Sequence, residues 1–176
     1  MKLNNNSRIV FRSIMMTIAT LFFFSCAQKN NDRIYQQFEN EFNSQISENH
    51  ATSFLFDYDG LTPQISYFVN SKIKFMKYTL GPENGSVESL IFYKNYTDSL
   101  NKIVRRYVFY EWDDIRNERT NKYSDTIYLI CFDKNKTYKY ADNKIIDSSF
   151  NKYEYEFNNN FTHQMKVETE KQYNSR

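Results

Sequence analysis

A few groups in this sequence have the chemistry to act on a ligand. Asp57-Tyr58-Asp59-Gly60 sets alternating acids ahead of a glycine, the pattern with which a calcium loop begins. The third acid and the closing glutamate of such a loop are missing, so the segment reads as a solvated turn. Glu154 and Glu156, like Glu168 and Glu170, stand two residues apart, and on strands each pair would share a face, as a general acid and base must. Their lysine-rich surroundings give them the simpler reading of a charged, wet face. His163 falls in the inward register of a strand-like run and is the one candidate general base, while His50 stands where a helix should end, so its imidazolium would complement the last carbonyls. Cys131, within Thr126-Ile127-Tyr128-Leu129-Ile130-Cys131-Phe132, has no neighbouring histidine to activate it and reads as a buried, inert thiol. No nucleophile elbow, paired metal-binding histidines or catalytic cysteine pattern accompanies these groups. No catalytic residue, metal or cofactor is therefore assigned, and the chain is expected not to be an enzyme.

The elements that must position these residues are mostly strands. From Asp32, Ile34, Phe38, Phe42 and Ile46 recur every four residues with Tyr35 alongside, predicting one amphipathic helix capped by Asp32 or Asn31 and packed on a sheet. Beyond His50 the apolar period shortens toward two. Strands are expected near Ser53 to Tyr58, Gln64 to Asn70, Lys72 to Leu80, Val87 to Lys94, Lys102 to Trp112 and Asp125 to Asp133. Shorter strands are expected near Thr137 to Tyr140, Lys144 to Asp147, Lys152 to Phe157 and Phe161 to Glu170. Turns fall at residues 81–86, 133–136, 142–143 and 158–160, rich in Gly, Asn and Asp. Such close spacing leaves no room for parallel crossovers, so the fold class is mainly β within α+β: an antiparallel meander, curled or barrel-like, with one N-terminal helix on it. Tyr107 to Trp112 is apolar on both faces and predicts a strand that is central or doubly covered. The longest connection, Asp113 to Ser124, mixes both charge signs and is the first choice for a contact loop.

Composition narrows the function classes. The chain has 176 residues, 25% charged and 18% aromatic, which suits one globular domain. Three glycines and two prolines leave no phosphate-cradling loop, and two cysteines with two histidines exclude a zinc ribbon. The net charge of +2 is misleading, because Lys2, Arg8 and Arg12 precede any acid while the rest of the chain holds 20 basic against 21 acidic side chains. Without a basic groove, nucleic acid is not an expected partner. An aromatic surface for sugars or peptides competes with a genomic explanation, since 21 asparagines accompany the Lys, Tyr, Phe and Ile residues that AT-rich codons encode.

The N-terminus carries the sharpest signal. The basic start is followed by an uncharged, mostly apolar run from Ser13 to Ser25, about 20 Å long as a helix and too short for a bilayer. This is the order of a secretory signal, and Phe23-Phe24-Ser25-Cys26 closes it. The four residues resemble the lipobox of bacterial lipoproteins, with Ser25 as the small residue before the cysteine and with Phe23 and Phe24 in place of the commoner leucine and small residue. The resemblance covers residues 1–26 and implies that signal peptidase II cuts before Cys26, which carries a thioether-linked diacylglycerol. Two or three fatty chains amount to stable anchoring in membrane lipid. It further implies a signal peptide of residues 1–25, while the abrupt polar shift after Cys26 marks a tether of residues 26–32 and composition makes residues 33–176 a single β-rich domain with the N-terminal helix. Ala27 after the cysteine, and the near absence of acids behind it, suggest the outer membrane with the body facing the periplasm.

With Cys26 lipidated, Cys131 is left alone and no internal disulfide can form. Asp98-Ser99-Leu100 and Asp125-Thr126-Ile127 resemble the Asp-Ser/Thr-apolar pattern of O-glycosylation on exported proteins, with Ser99 in the more exposed setting. Together these readings predict a cell-envelope lipoprotein acting as a noncatalytic binding or structural module with an envelope protein or glycan as partner. The alternatives are an inhibitor or immunity-type lipoprotein that blocks an enzyme through the Asp113 to Ser124 loop, and a hydrolase built on His163.

Overall fold

The computed structural model describes residues 30–57, 63–94, 99–150 and 152–176. Helix α1 (Asn30–Glu48) leads into eight strands, β1 (Thr52–Asp57), β2 (Pro63–Val69), β3 (Lys72–Leu80), β4 (Gly85–Tyr93), β5 (Leu100–Asp113), β6 (Glu118–Cys131), β7 (Lys136–Ala141) and β8 (Lys144–Ser149), and a second helix, α2 (Lys152–Asn174), closes the chain. The strands form one antiparallel sheet in sequence order from β1 to β8. The expected meander is present. β1 and β8 are its two edges and do not pair, so the sheet is open rather than closed into a barrel.

Each face of the sheet is covered by one helix. On one side α1 lays Tyr35 and Phe42 on Phe75, Leu90, Phe92, Val104 and Ile127. Phe42 meets Tyr67, Phe75 and Phe92 edge to face at 5.8, 5.9 and 5.3 Å, the geometry aromatic quadrupoles prefer. The period-four stripe read from the sequence is this buried face. Polar ties run beside it: Lys77 Nζ reaches Glu39 at 2.8 Å, Lys102 Nζ reaches Glu41 at 2.5 Å, and Arg106 holds both Asp32 and Asp125. Asn31 and Asp32 are not capping residues. Both lie inside the helix, where Asn31 Nδ2 donates to the Asp125 carbonyl at 2.6 Å and its Oδ1 accepts the Asn143 N–H at 3.3 Å. The body thus begins to grip the chain within the segment expected to be tether.

On the other side α2 covers Phe54, Phe68, Ile73, Met76, Tyr78, Ile91, Tyr93, Ile103 and Ile130. This corrects the two expected strands at Lys152 to Phe157 and Phe161 to Glu170. The apparent alternation of Phe161, His163, Met165 and Val167 is accidental: the residues that go inside are Thr162, Met165, Lys166 and Thr169, at helical spacing, and Val167 is exposed. Three of those four are polar, which hid the 3.6-residue period. They are bound where they lie. Lys166 Nζ meets Glu170 at 2.7 Å, Gln64 Nε2 donates to Thr169 Oγ1 at 2.5 Å, and Glu170 also accepts the Ile73 N–H at 3.0 Å. Tyr173 stacks on Phe68 at 3.9 Å.

Turns are made with asparagine rather than glycine. Asn70 and Ser71 join β2 to β3, and Asp142 and Asn143 join β7 to β8, all with positive φ, as two-residue hairpin turns require. Asn117 and Asn135 take the same left-handed conformation at the ends of the β5–β6 and β6–β7 turns. Gly85 is needed for a different reason, because a Cβ there would lie 2.2 Å from the Val108 carbonyl oxygen of the adjacent strand.

Strands β5 and β6 run past their neighbours. Pairing of β4 with β5 ends at Gly85 opposite Phe109, and pairing of β6 with β7 ends at Ile127 opposite Tyr140, leaving a two-stranded ribbon beyond. The expected 12-residue contact loop is part of this ribbon, with a turn of residues 114–117 between Asp113 and Glu118. Asp113 Oδ1 fixes the turn by accepting the Ile115 and Arg116 N–H groups at 3.0 and 3.1 Å. A ribbon wet on both sides needs no apolar alternation, so Glu118 to Ser124 did not read as a strand. Nor is Tyr107 to Trp112 doubly covered. β5 is central, but this stretch is half-buried to exposed and its aromatics pair across strands, Tyr107 with Tyr128 at 5.5 Å and Tyr110 with Tyr123 at 5.6 Å.

Candidate functional site

Among the described residues, a concave region lies where β4 ends, β5 begins and β6 ends. Tyr93 and Lys94 close β4, and the Lys94 N–H donates to the Ser99 carbonyl at 2.9 Å, drawing the start of β5 alongside. The buried Lys74 fixes the same corner by donating from Nζ to the Lys94 carbonyl at 2.9 Å. Two recesses open there and share Tyr93 and Lys94. One, of about 470 Å³, faces α2 and is lined by Ser99, Leu100, Phe132, Asn159 and His163; the other, of about 610 Å³, faces the end of α1 and is lined by Gln45, Glu48, Asn49, Asn101 and Asp133.

The walls are positioned by local chemistry. Helix α1 ends in a Schellman arrangement, with the Ala51 N–H on the Ile46 carbonyl and the His50 N–H on the Ser47 carbonyl, both at 3.1 Å. His50 sits at the left-handed position with φ of 50° and is exposed. The carbonyls that its imidazolium was expected to complement are therefore closed by backbone donors. Asn49 Nδ2 donates to the Gln45 carbonyl at 2.7 Å and Gln45 Nε2 to Glu41 at 3.1 Å, so the amides on this wall are held in register. The floor is Tyr93, whose hydroxyl donates to the Thr162 carbonyl at 3.2 Å under Lys166. Burial first, then the proximity of Tyr78 and Glu170, raises its pKa well above the usual phenol range. It stays a neutral hydroxyl.

Of the residues singled out in the sequence, Ser99 and His163 are brought to one recess although 64 positions separate them. His163 reaches it from an exposed helical position rather than from a strand facing inward. Of the carboxylates considered with it, Glu168 and Glu170 do not join it. Glu170 is occupied by Lys166 and the Ile73 N–H, and Glu168 lies 3.9 Å from Lys171. Two residues apart on a helix, these acids do not share a face. Glu154 and Glu156 lie in the first turns of the same helix, and their side chains are outside the described residues. Asp57 ends β1, whereas Asp59 and Gly60 are likewise outside them, as are Phe23, Phe24, Ser25 and Cys26. Among the described residues no group of three or more His, Cys, Asp or Glu side chains is placed to hold a metal, and no helix is long and apolar enough to cross a membrane. Thr126 is half-buried inside β6, opposite Tyr107, while Ser99 is exposed. Cys131 is a free thiol buried at the end of β6, with its pKa raised by burial and then by Asp133.

No protein-family model, curated protein or solved structure matches this chain.

Lysine, amides, hydroxyls and one imidazole around an aromatic floor can hydrogen-bond a polar ligand from several sides. Tyr93, Lys94, Asn101, Asn159 and the α1 wall were not legible as site residues, because they form no motif and meet only through the fold.

Proposed function

We propose that this protein is a cell-envelope lipoprotein, anchored through an acylated Cys26, whose β-rich body is a noncatalytic binding module and whose cleft around Tyr93 and Lys94 receives an envelope protein or glycan. The anchor rests on the order of basic start, short apolar run, small residue and cysteine in residues 1–26. The observation that carries the binding reading is the direction of α1. Its first turn is clasped to Asp125 and Arg106 through Asn31 and Asp32, five and six residues after Cys26, and its last turn forms a wall of the cleft, about 25 Å away at helical rise. An anchor at one end of this helix turns the cleft away from the bilayer. The outer membrane, with the body in the periplasm, is the setting that Ala27 favours.

Binding is preferred to hydrolysis because, of the acids that a His163 mechanism would borrow, Glu170 is bound by Lys166 and Glu168 lies beside Lys171. Ser99, exposed at the cleft, is the better of the two O-glycan acceptors, and a sugar there would stand at the mouth of the site. The test is affinity capture from detergent-solubilised envelope with the full-length protein and with Lys94→Glu. Capture of a specific protein or glycan by the parent, lost in a variant of unchanged thermal stability, is the expected result. Equal capture by both proteins would remove the cleft from the account.

A further inference from the structure

We infer that the tip of the β5–β6 ribbon, through Trp112 and Ile115, inserts into the interfacial layer of the bilayer that holds Cys26. The inference rests on the lipid anchor proposed above and adds a second, noncovalent contact with the same membrane.

Three observations lead to it. The first is where the described chain ends. Asn31 bonds the Asp125 carbonyl, and Asp125 pairs with Val108, so the start of α1 lies level with Val108 on β5. From Cys26 to Asn30 there are four residue steps, which span at most about 14 Å even when fully extended.

The second is direction. Helix α1 runs from Arg106, which holds Asp32, to Lys102, which holds Glu41, and is therefore antiparallel to β5. Its N-terminus points the way the ribbon projects. From Val108 to Asp113 the ribbon advances about 17 Å at strand rise, before the turn of residues 114–117 is added. A body held within about 14 Å of the lipid by its tether therefore carries a projection longer than that gap on its membrane-facing side.

The third is what the projection ends in. Ile115 is 98% exposed at the turn and Trp112, the single tryptophan of the chain, is 41% exposed just below it. Asp113 holds the turn by two backbone hydrogen bonds, so Ile115 is presented on a fixed support. Tryptophan is favoured at the headgroup level and a bare isoleucine gains by leaving water. Residues 111–122 contain the acids Glu111, Asp113, Asp114 and Glu118 against the bases Arg116, Arg119 and Lys122. That balance gives no pull toward anionic lipid, so the contact is apolar and insensitive to salt.

Because Trp112 is the only tryptophan, its fluorescence reports the contact directly. Full-length protein purified from cells is reconstituted into phosphatidylcholine vesicles containing brominated lipid, beside the Ile115→Asp variant and a form with a photo-crosslinker at position 115. The expected result is flotation of both proteins with the vesicles, quenching of Trp112 by about twofold in the parent, little quenching in Ile115→Asp, and cross-links to lipid. Flotation without quenching, or cross-links in intact envelopes to a protein instead of lipid, overturns the ribbon contact and leaves the anchor standing. Failure to float, with a mass showing Cys26 unmodified, overturns the anchor and the ribbon contact with it.

Discussion

Asparagine, aspartate, serine and histidine occupy the left-handed positions at which glycine would cost least, and each substitution has a readable consequence. Asn and Asp tolerate positive φ by bonding locally, but Ser71, at φ of 63°, gains less from its short hydroxyl. Ser71→Gly should stabilise the protein by about 1 kcal/mol, measured by chemical denaturation. Tyr93 supplies the second residue-scale test. Its folded pKa lies above its unfolded value near 10, so the proton it keeps contributes stability that is complete below about pH 10 and is lost as pH rises beyond it. Tyr93→Phe should cost about 1 kcal/mol at neutral pH through the lost bond to the Thr162 carbonyl. It should also flatten the alkaline fall in stability by about 1.4 kcal/mol per pH unit. A fall above pH 10 unchanged in the variant would show that Tyr93 does not hold its proton against ionisation. At this scale the sequence was legible where a residue acts alone: Cys131 is buried as its setting implied. It was not legible where a role depends on a partner far along the chain, as with Glu170, whose Oε1 accepts the Ile73 N–H.

The elements that declare themselves are those whose buried face is apolar. Helix α1 buries Phe42 on an apolar stripe of period four, and strands β3 and β4, which bury Phe75 with Met76 and Ile91 with Phe92, are covered on both faces and stand out as near-continuous apolar runs. Helix α2 buries a threonine, a lysine and another threonine beside Met165, so its period was invisible and a chance alternation took its place. The outer part of the ribbon, Asp113 to Ser124, reads as a loop because no core lies on either side of it to demand a pattern. Phe42 should be the keystone of the α1 layer, since it is buried against three rings. Phe42→Ala is expected to cost about 3–5 kcal/mol by equilibrium unfolding. A loss well under 1 kcal/mol would mean that α1 is not packed on the sheet as described.

At the scale of the whole molecule, a helix on each face of an open antiparallel sheet gives the body two unlike ends. One carries the start of α1 and the projecting ribbon, and the other carries the cleft with Lys94, Ser99 and His163. Mainly β architecture and the meander order were readable from strand spacing. The open edges, the second helix and the cleft were not, because they depend on how distant segments meet. The functional account joins these two ends through Cys26, and the intact mass of the protein isolated from its native envelope tests that most directly. The account predicts a chain that begins at Cys26 and bears diacylglyceryl and further acyl mass on that residue, with added sugar mass if Ser99 is glycosylated. A chain that retains Met1, or one that begins elsewhere with an unmodified Cys26, would contradict it.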